Sequence, residues 1–169
     1  MRDCIIIGNG PSRLKYDLNS IAIPTFGCNF VYREHRVDYL VAQDRTVLAT
    51  MEQEAIDQPV WVPEMRFRQG PVWKFMQSLR SPYFMHRSLL SGEWCIVLAA
   101  EMGYDTVHLV GFDGGAESLH RGLTRNNASL VQCQPRAERY HRVFKDLLTA
   151  YPKIKIITDP WFLSAYADK

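Results

Sequence analysis

The chain has 169 residues, of which 47% are hydrophobic, 12% aromatic and 22% charged, a composition that predicts one soluble domain over residues 1–169. Its formal net charge of +2 is too small to indicate a nucleic-acid-binding protein, and no apolar stretch is long enough for an integral membrane segment. Four widely spaced cysteines without a Cys-x-x-Cys pair favour buried thiols over disulfides or zinc, and hence a cytoplasmic location.

The first predicted strand and the turn that follows it form the most distinctive motif. Residues 4–7 are apolar and rich in isoleucine, which suits a strand covered on both faces of a parallel sheet. The sequence Gly-Asn-Gly-Pro-Ser follows at 8–12, with glycines for a tight turn and Pro11 for the first turn of a helix. Unpaired N–H groups at a helix start favour an anion, so we expect phosphate here. A dinucleotide fingerprint is disfavoured because its third glycine is missing.

Strand and helix signals then alternate along the chain. The predicted strands are 4–7, 25–28, 39–42, 60–62, 107–110 and 154–157, and the predicted helices are 45–55, 91–102 and 136–150. This alternation is typical of an α/β protein. We therefore predict a single Rossmann-like, doubly wound and mostly parallel sheet with helices on both faces.

Polar residues come directly after several of these strands. In an open α/β sheet, ligands bind outside the carboxyl ends of the strands, so these positions are the first candidates for a site. Asn29 follows the second strand, Asp44 the third, and Asp113 the strand that ends at Val110; Ser91-Gly92 opens a helix. Each residue alone also fits a helix cap or a turn, and only their convergence at one edge favours a ligand.

These motifs, in this order, resemble the bacterial sialyltransferases of glycosyltransferase family 42. The resemblance is carried by Ile-Ile-Ile-Gly-Asn-Gly-Pro-Ser at 5–12, Cys-Asn-Phe at 28–30, Ser-Gly at 91–92 and Met-Gly-Tyr at 102–104 followed by Val-His-Leu-Val-Gly-Phe-Asp at 107–113. It extends to the wider group that includes archaeal 6-hydroxymethylpterin diphosphokinase-like proteins and uncharacterised phage and bacterial proteins.

The resemblance implies a site for a nucleotide-activated small-molecule donor, with a cytidine nucleotide in the sialyltransferases. It assigns nucleotide binding to these residues: Gly8, Asn9, Gly10, Ser12, Asn29, Asp44, Ser91 and Gly92. At Asp44 the family has an asparagine, and a carboxylate there would repel phosphate unless it met ribose hydroxyls or a metal ion. Asp44 and Asp113 would suit Mg²⁺ only in a diphosphokinase-like reaction; otherwise no cofactor and no metal are expected.

The family also carries a long insertion with two tyrosines that hold the phosphate and a histidine that acts as base. Here the corresponding segment, 114–136, is short, contains no tyrosine and holds one histidine. We expect this segment to form a short lid loop. The catalytic candidates are His120, as a general base near neutral pH, and Asp113.

Three functions follow from these observations. The first is a small sialyltransferase-like glycosyltransferase, the second a Mg²⁺-dependent diphosphokinase-like enzyme, and the third a non-catalytic nucleotide- or sugar-binding domain. The aromatic-rich segment 61–84 is consistent with a homo-oligomer. Six arginines are candidates to contact a phosphorylated ligand: Arg33, Arg36, Arg66, Arg68, Arg80 and Arg87.

Overall fold

A computed structural model describes residues 2–63, 76–84, 88–113, 117–118, 131–132 and 137–158 of the chain. The strands are β1 Asp3–Ile7, β2 Thr25–Cys28, β3 Tyr39–Val41, β4 Val60–Pro63, β5 Met76–Leu79, β6 Thr106–Val110, β7 Glu117–Ser118, β8 Val131–Gln132 and β9 Lys155–Ile157. Seven of them form one sheet in the order β5-β4-β3-β2-β1-β6-β9, and every neighbouring pair in it is parallel. The other two, β7 and β8, pair with each other antiparallel.

In the part of the chain that the structure describes, three α-helices cover this sheet: α1 Arg45–Gln53, α2 Ser91–Glu101 and α3 Ala137–Ala150. Successive side chains of a strand point to opposite faces, so β1 contributes to two cores. Cys4 and Ile6 pack with buried residues of α2 and α3, whereas Ile5 and Ile7 pack with Leu48 and Met51 of α1. The predicted Rossmann-like fold, with a parallel sheet and helices on both faces, is confirmed.

The strand order reverses between β1 and β6. From β1 the chain builds outward through β2, β3, β4 and β5, and it then returns to place β6 and β9 on the other side of β1. The β1–β6 register pairs Asp3 with Thr106 and Ile7 with Val110, so the two strands end side by side. This reversal is the position at which open α/β sheets bind their ligands.

Some elements differ from the sequence predictions. The segment after Pro11 is a short 3₁₀ helix, Pro11–Lys15, and not an α-helix. Strand β5 was not predicted, because its sequence Met-Gln-Ser-Leu is half polar. Among the described strands it lies at the edge of the sheet and pairs with β4 alone. Other boundaries agree within two residues. Among the described residues, no helix has the length and apolar character needed to cross a membrane.

Candidate functional site

The turn after β1 and the loop after β6 lie against each other at the strand-order reversal. Gly8 N donates to Val110 O at 2.7 Å, and Gly10 N donates to Gly111 O at 2.8 Å. A Cβ atom on Gly8 would lie 2.5 Å from Gly111 O, and one on Gly10 would lie 2.6 Å from the Asp113 carboxylate. Glycine is therefore required at 8 and 10 because two backbones meet there.

Three backbone donors of this turn, those of Gly8, Gly10 and Ser12, are used within the protein. Besides the bonds of Gly8 and Gly10, Ser12 N donates to Asp113 Oδ2 at 2.9 Å, and the Ser12 hydroxyl bonds the other carboxylate oxygen. The anion at the start of the Pro11–Lys15 helix is therefore the Asp113 side chain. The N–H groups of Gly8, Gly10 and Ser12, which the motif was expected to offer to phosphate, are paired with Val110, Gly111 and Asp113 instead.

Asn9 is held beside this turn by a buried arginine that the sequence reasoning missed. Arg13 is 1% exposed; its Nη1 donates to Gly8 O at 3.1 Å and to Asn9 Oδ1 at 3.2 Å, and its Nη2 pairs with Glu34 at 2.5 Å. Burial lowers the pKa of Arg13, and the Glu34 carboxylate opposes that shift. Asn9 Nδ2 lies 3.7 Å from Cys28 Sγ at the end of β2. Arg13 thus orients the Asn9 amide toward the neighbouring strand.

The first turn of α2 comes close to the ends of β2 and β6. A Cβ atom on Gly92 would lie 3.0 Å from the Phe112 ring and 3.8 Å from Cys28 Sγ. The next turn is fixed by Cys95 Sγ, 3.4 Å from Gly27 O. Ser91 is 3% exposed, and its Oγ has no hydrogen-bond partner in the part of the chain that the structure describes. Ser91 and Gly92 therefore lie at the same edge as Asn9 and Asn29.

Two amide oxygens at this edge are also buried without a partner among the described residues. One is Oδ1 of Asn29, whose backbone adopts a left-handed φ of 54° directly after β2. The other is Oε1 of Gln43, which follows β3 and is 6% exposed. Gln43 Nε2 donates to Leu89 O at 2.7 Å, which fixes the orientation of the amide. Buried polar atoms normally have partners, so these oxygens indicate a site for an external donor group.

Gln43 was not predicted, although it is also a polar residue just after β3 and directly precedes Asp44. Asp44 begins α1, is exposed, and its side chain makes no cap hydrogen bond. The buried polar residue that follows β3 is therefore Gln43. Its bond to Leu89 joins β3 to the loop before α2, a contact between residues 46 positions apart that no local pattern contains.

The order of the strands does not favour a shared Mg²⁺ site for Asp44 and Asp113. β3 and β6 are separated in the sheet by β2 and β1. Three strand spacings amount to about 14 Å, whereas both ligands of one Mg²⁺ lie about 2 Å from the ion. The Asp113 carboxylate also already accepts two bonds from Ser12. Within the described ranges, no three His, Cys, Asp or Glu side chains are grouped so as to hold a metal ion.

The remaining candidates have separate outcomes. His120 and nearly all of the predicted lid 114–136 lie outside the described residues, apart from the short β7 and β8. Arg33 pairs with Glu54 at 2.6 Å and Arg36 with Asp57 at 2.8 Å. Arg80 directly follows β5. The other three arginine candidates, Arg66, Arg68 and Arg87, lie outside the described residues.

This arrangement of strands matches solved structures of bacterial sialyltransferases. One is the monofunctional α-2,3-sialyltransferase Cst-I from Campylobacter jejuni, with a TM-score of 0.62 and 14% identity over 98% of this chain and 79% of that one. Another is CstII from Campylobacter jejuni with the substrate analogue CMP-3FNeuAc, with a TM-score of 0.56 and 13% identity over 98% and 84%. A third, CstII with a trisaccharide acceptor and CMP, has a TM-score of 0.57 and 15% identity over 98% and 84%.

The chain has the fold of these sialyltransferases. No protein-family model matches its sequence, and no curated protein matches it. At this level of identity the likeness extends to the fold alone. The neighbours are transferases that have been solved with CMP and with a CMP-sugar analogue.

Proposed function

We propose that the chain binds a nucleotide-activated sugar at the carboxyl edge of β2 and β3 and acts as a small sialyltransferase-like glycosyltransferase, with a cytidine nucleotide as donor. The observation that carries this proposal is that three of the eight buried side-chain polar atoms without a partner among the described residues lie at this edge: Asn29 Oδ1, Gln43 Oε1 and Ser91 Oγ. All three belong to residues that follow a strand or begin a helix at the same edge of the sheet. The fold likeness to transferases solved with CMP and with CMP-3FNeuAc supports a cytidine nucleotide as the donor.

The chemistry of these atoms suits different parts of such a donor. The amide oxygens of Asn29 and Gln43 only accept hydrogen bonds, so they favour ribose or sugar hydroxyls, or an amino group of a base. Ser91 Oγ can donate, and it lies in the first turn of α2, where the free N–H groups and the positive end of the helix dipole favour an anion. The proposal therefore assigns the hydroxyls of the donor to β2 and β3, and its phosphate to the start of α2.

The catalytic step remains assigned to His120. Sugar transfer breaks the bond between the anomeric carbon and the nucleotide phosphate and forms a bond to an acceptor oxygen, whose proton must pass to a base. Asp113 is a second candidate, but its carboxylate is bonded to Ser12, and its catalytic role stays a prediction. The diphosphokinase-like alternative would need a metal site that does not combine Asp44 with Asp113.

A nucleotide screen tests the proposed donor. We expect CMP to raise the melting temperature more than UMP, AMP or GMP, because a ligand that binds only the native state stabilises it by mass action. At a hundredfold excess over Kd the gain is about 2.7 kcal/mol. This corresponds to about 5 to 10 °C for a domain of this size.

The screen is run with Mg²⁺ and with EDTA, and its outcomes separate the three functions. A shift by CMP that EDTA leaves unchanged supports the proposal. A shift confined to ATP with Mg²⁺ would support the diphosphokinase-like enzyme. No shift with any nucleotide would contradict the proposed donor site.

Replacing His120 tests the catalytic assignment. With CMP-N-acetylneuraminic acid as donor and lactose as a probe acceptor, we expect His120→Asn to lower the rate of CMP release by about 10² to 10⁴-fold, as the loss of a general base does. His141→Asn is the matched control, because His141 is an exposed histidine on α3. Equal rates in wild type and His120→Asn would remove His120 from the mechanism. A wild type that binds CMP and releases none from the sugar donor would indicate the binding-only function.

A further inference from the structure

The first turn of α2 contains a fully buried carboxylate. Glu93 is 0% exposed, and its Oε2 accepts from Leu90 N at 2.6 Å. Arg139, from the first turn of α3, donates Nη2 to the same oxygen at 2.8 Å and Nε to the other oxygen at 3.2 Å. A buried charge is costly unless it is paired and hydrogen-bonded, so this bidentate pair fixes Arg139 beside the start of α2.

The guanidinium of Arg139 has one edge left over. Arginine carries five N–H donors in a rigid plane. Nε and one N–H of Nη2 bind Glu93, and the second N–H of Nη2 binds Ser88 O at 2.7 Å. For the two N–H groups of Nη1 there is no partner within the described ranges, and the side chain is 29% exposed. Glu93 and Ser88 therefore hold the plane in place while its Nη1 edge stays accessible.

Arg139 is bonded to the segment of the chain that contains the Ser91 hydroxyl. Arg139 contacts Ser88 and Glu93, which flank Ser91 in the sequence, and Ser91 Oγ is buried without a partner among the described residues. The residue after Arg139 adds a second contact: the Tyr140 ring lies 5.9 Å from Phe112, which packs on Gly92. Hydrogen bonds and a ring contact thus join the first turn of α3 to the first turn of α2 at the carboxyl edge of the sheet.

We propose that Arg139 is a phosphate contact of the donor site, in which its Nη1 edge, the Ser91 hydroxyl and the first turn of α2 bind the nucleotide phosphate. The proposal rests on the proposed function and adds the cationic group that the sequence motifs did not supply. The turn after β1 uses the N–H groups of Gly8, Gly10 and Ser12 internally. Glu93 balances the charge of Arg139, but directed N–H donors already held in position still bind an oxyanion at low ordering cost.

The test compares CMP with cytidine, which differ only in the phosphate, by isothermal titration calorimetry. Removing Arg139 alone would leave Glu93 buried and unpaired, so the variant is the double substitution Glu93→Gln/Arg139→Met, which removes both charges together. We expect CMP affinity to fall by about 10- to 100-fold, the range for a hydrogen bond to a charged group, with cytidine affinity unchanged. Arg142→Met is the control, since Arg142 is exposed one turn further along α3.

Each outcome decides between explanations. An equal loss for CMP and cytidine in the double variant would mean that the pair only maintains the shape of the site, and would overturn the assignment of Arg139. Equal CMP affinity in wild type and double variant would overturn it as well. A wild type that binds neither cytidine nor CMP would overturn the proposed function itself, and with it this inference.

Discussion

Replacing Gly8 with alanine is expected to lower the free energy of unfolding by about 3 kcal/mol, at the upper end for overpacking a tight contact. The new Cβ would lie 2.5 Å from Gly111 O and 3.0 Å from the Phe112 ring. Gly111 O cannot move away freely, because it accepts the hydrogen bond of Gly10 N at 2.8 Å. The substitution would therefore separate the turn after β1 from the loop after β6.

Urea unfolding followed by far-UV circular dichroism measures this effect, with Gly103→Ala as the control. Gly103 has a left-handed φ of 78°, but the nearest atom to its added Cβ would lie 3.6 Å away. The control therefore carries only the conformational cost of alanine in that region, about 1 to 2 kcal/mol. If Gly8→Ala were as stable as Gly103→Ala, the close approach of the two backbones would not be a constraint.

The second large effect is on binding. Ser91→Ala is expected to weaken CMP binding by at least about tenfold, because a hydrogen bond to a charged phosphate oxygen is lost. The same substitution should leave the free energy of unfolding unchanged or slightly higher. Ser91 Oγ is buried without a partner among the described residues, so its removal breaks no protein hydrogen bond.

Ser81→Ala is the matched control, and it should show the opposite pattern. Ser81 is 0% exposed, and its hydroxyl bonds the Tyr151 hydroxyl at 2.9 Å. Its loss should cost about 1 kcal/mol of stability and leave CMP affinity intact. Urea unfolding and calorimetry on both variants separate the two roles. A Ser91→Ala protein that binds CMP like wild type would remove Ser91 from the donor site.

Most of the fold followed from local patterns. The apolar runs at 4–7 and 107–110 predicted two strands, and the apolar stripe at 136–150 predicted α3; that the two strands pair is seen only in the structure. Polar residues placed after strands predict a ligand site at the carboxyl edge of the sheet, and the structure brings several of them together there. β5 escaped prediction because an edge strand needs little apolar sequence, and its pairing with β4 is set by tertiary contact.

The candidate site was predicted less completely than the fold, because its hydrogen bonds depend on contacts between distant residues. Asp113 was considered as a catalyst or metal ligand, and the structure places it on Ser12, 101 positions earlier in the sequence. Gln43 was passed over in favour of Asp44, since burial distinguishes the two and sequence does not. The role of Arg139 was not predicted, because the pattern of its helix indicates only which residues form the apolar face.

The sequence by itself determined a parallel α/β sheet and indicated its carboxyl edge as the candidate ligand site, because strand periodicity, glycine turns and strand-end polarity are local properties of the chain. Only the tertiary structure decided which groups at that edge remain available to a ligand. Gly8, Gly10, Ser12 and Asp113 form hydrogen bonds with other groups of the protein. In contrast, no partner among the described residues is found for Ser91 Oγ, Gln43 Oε1 and the Nη1 edge of Arg139. Hydrogen-bond partners come from strands and helices far apart in sequence, and so they exist only once the chain has folded.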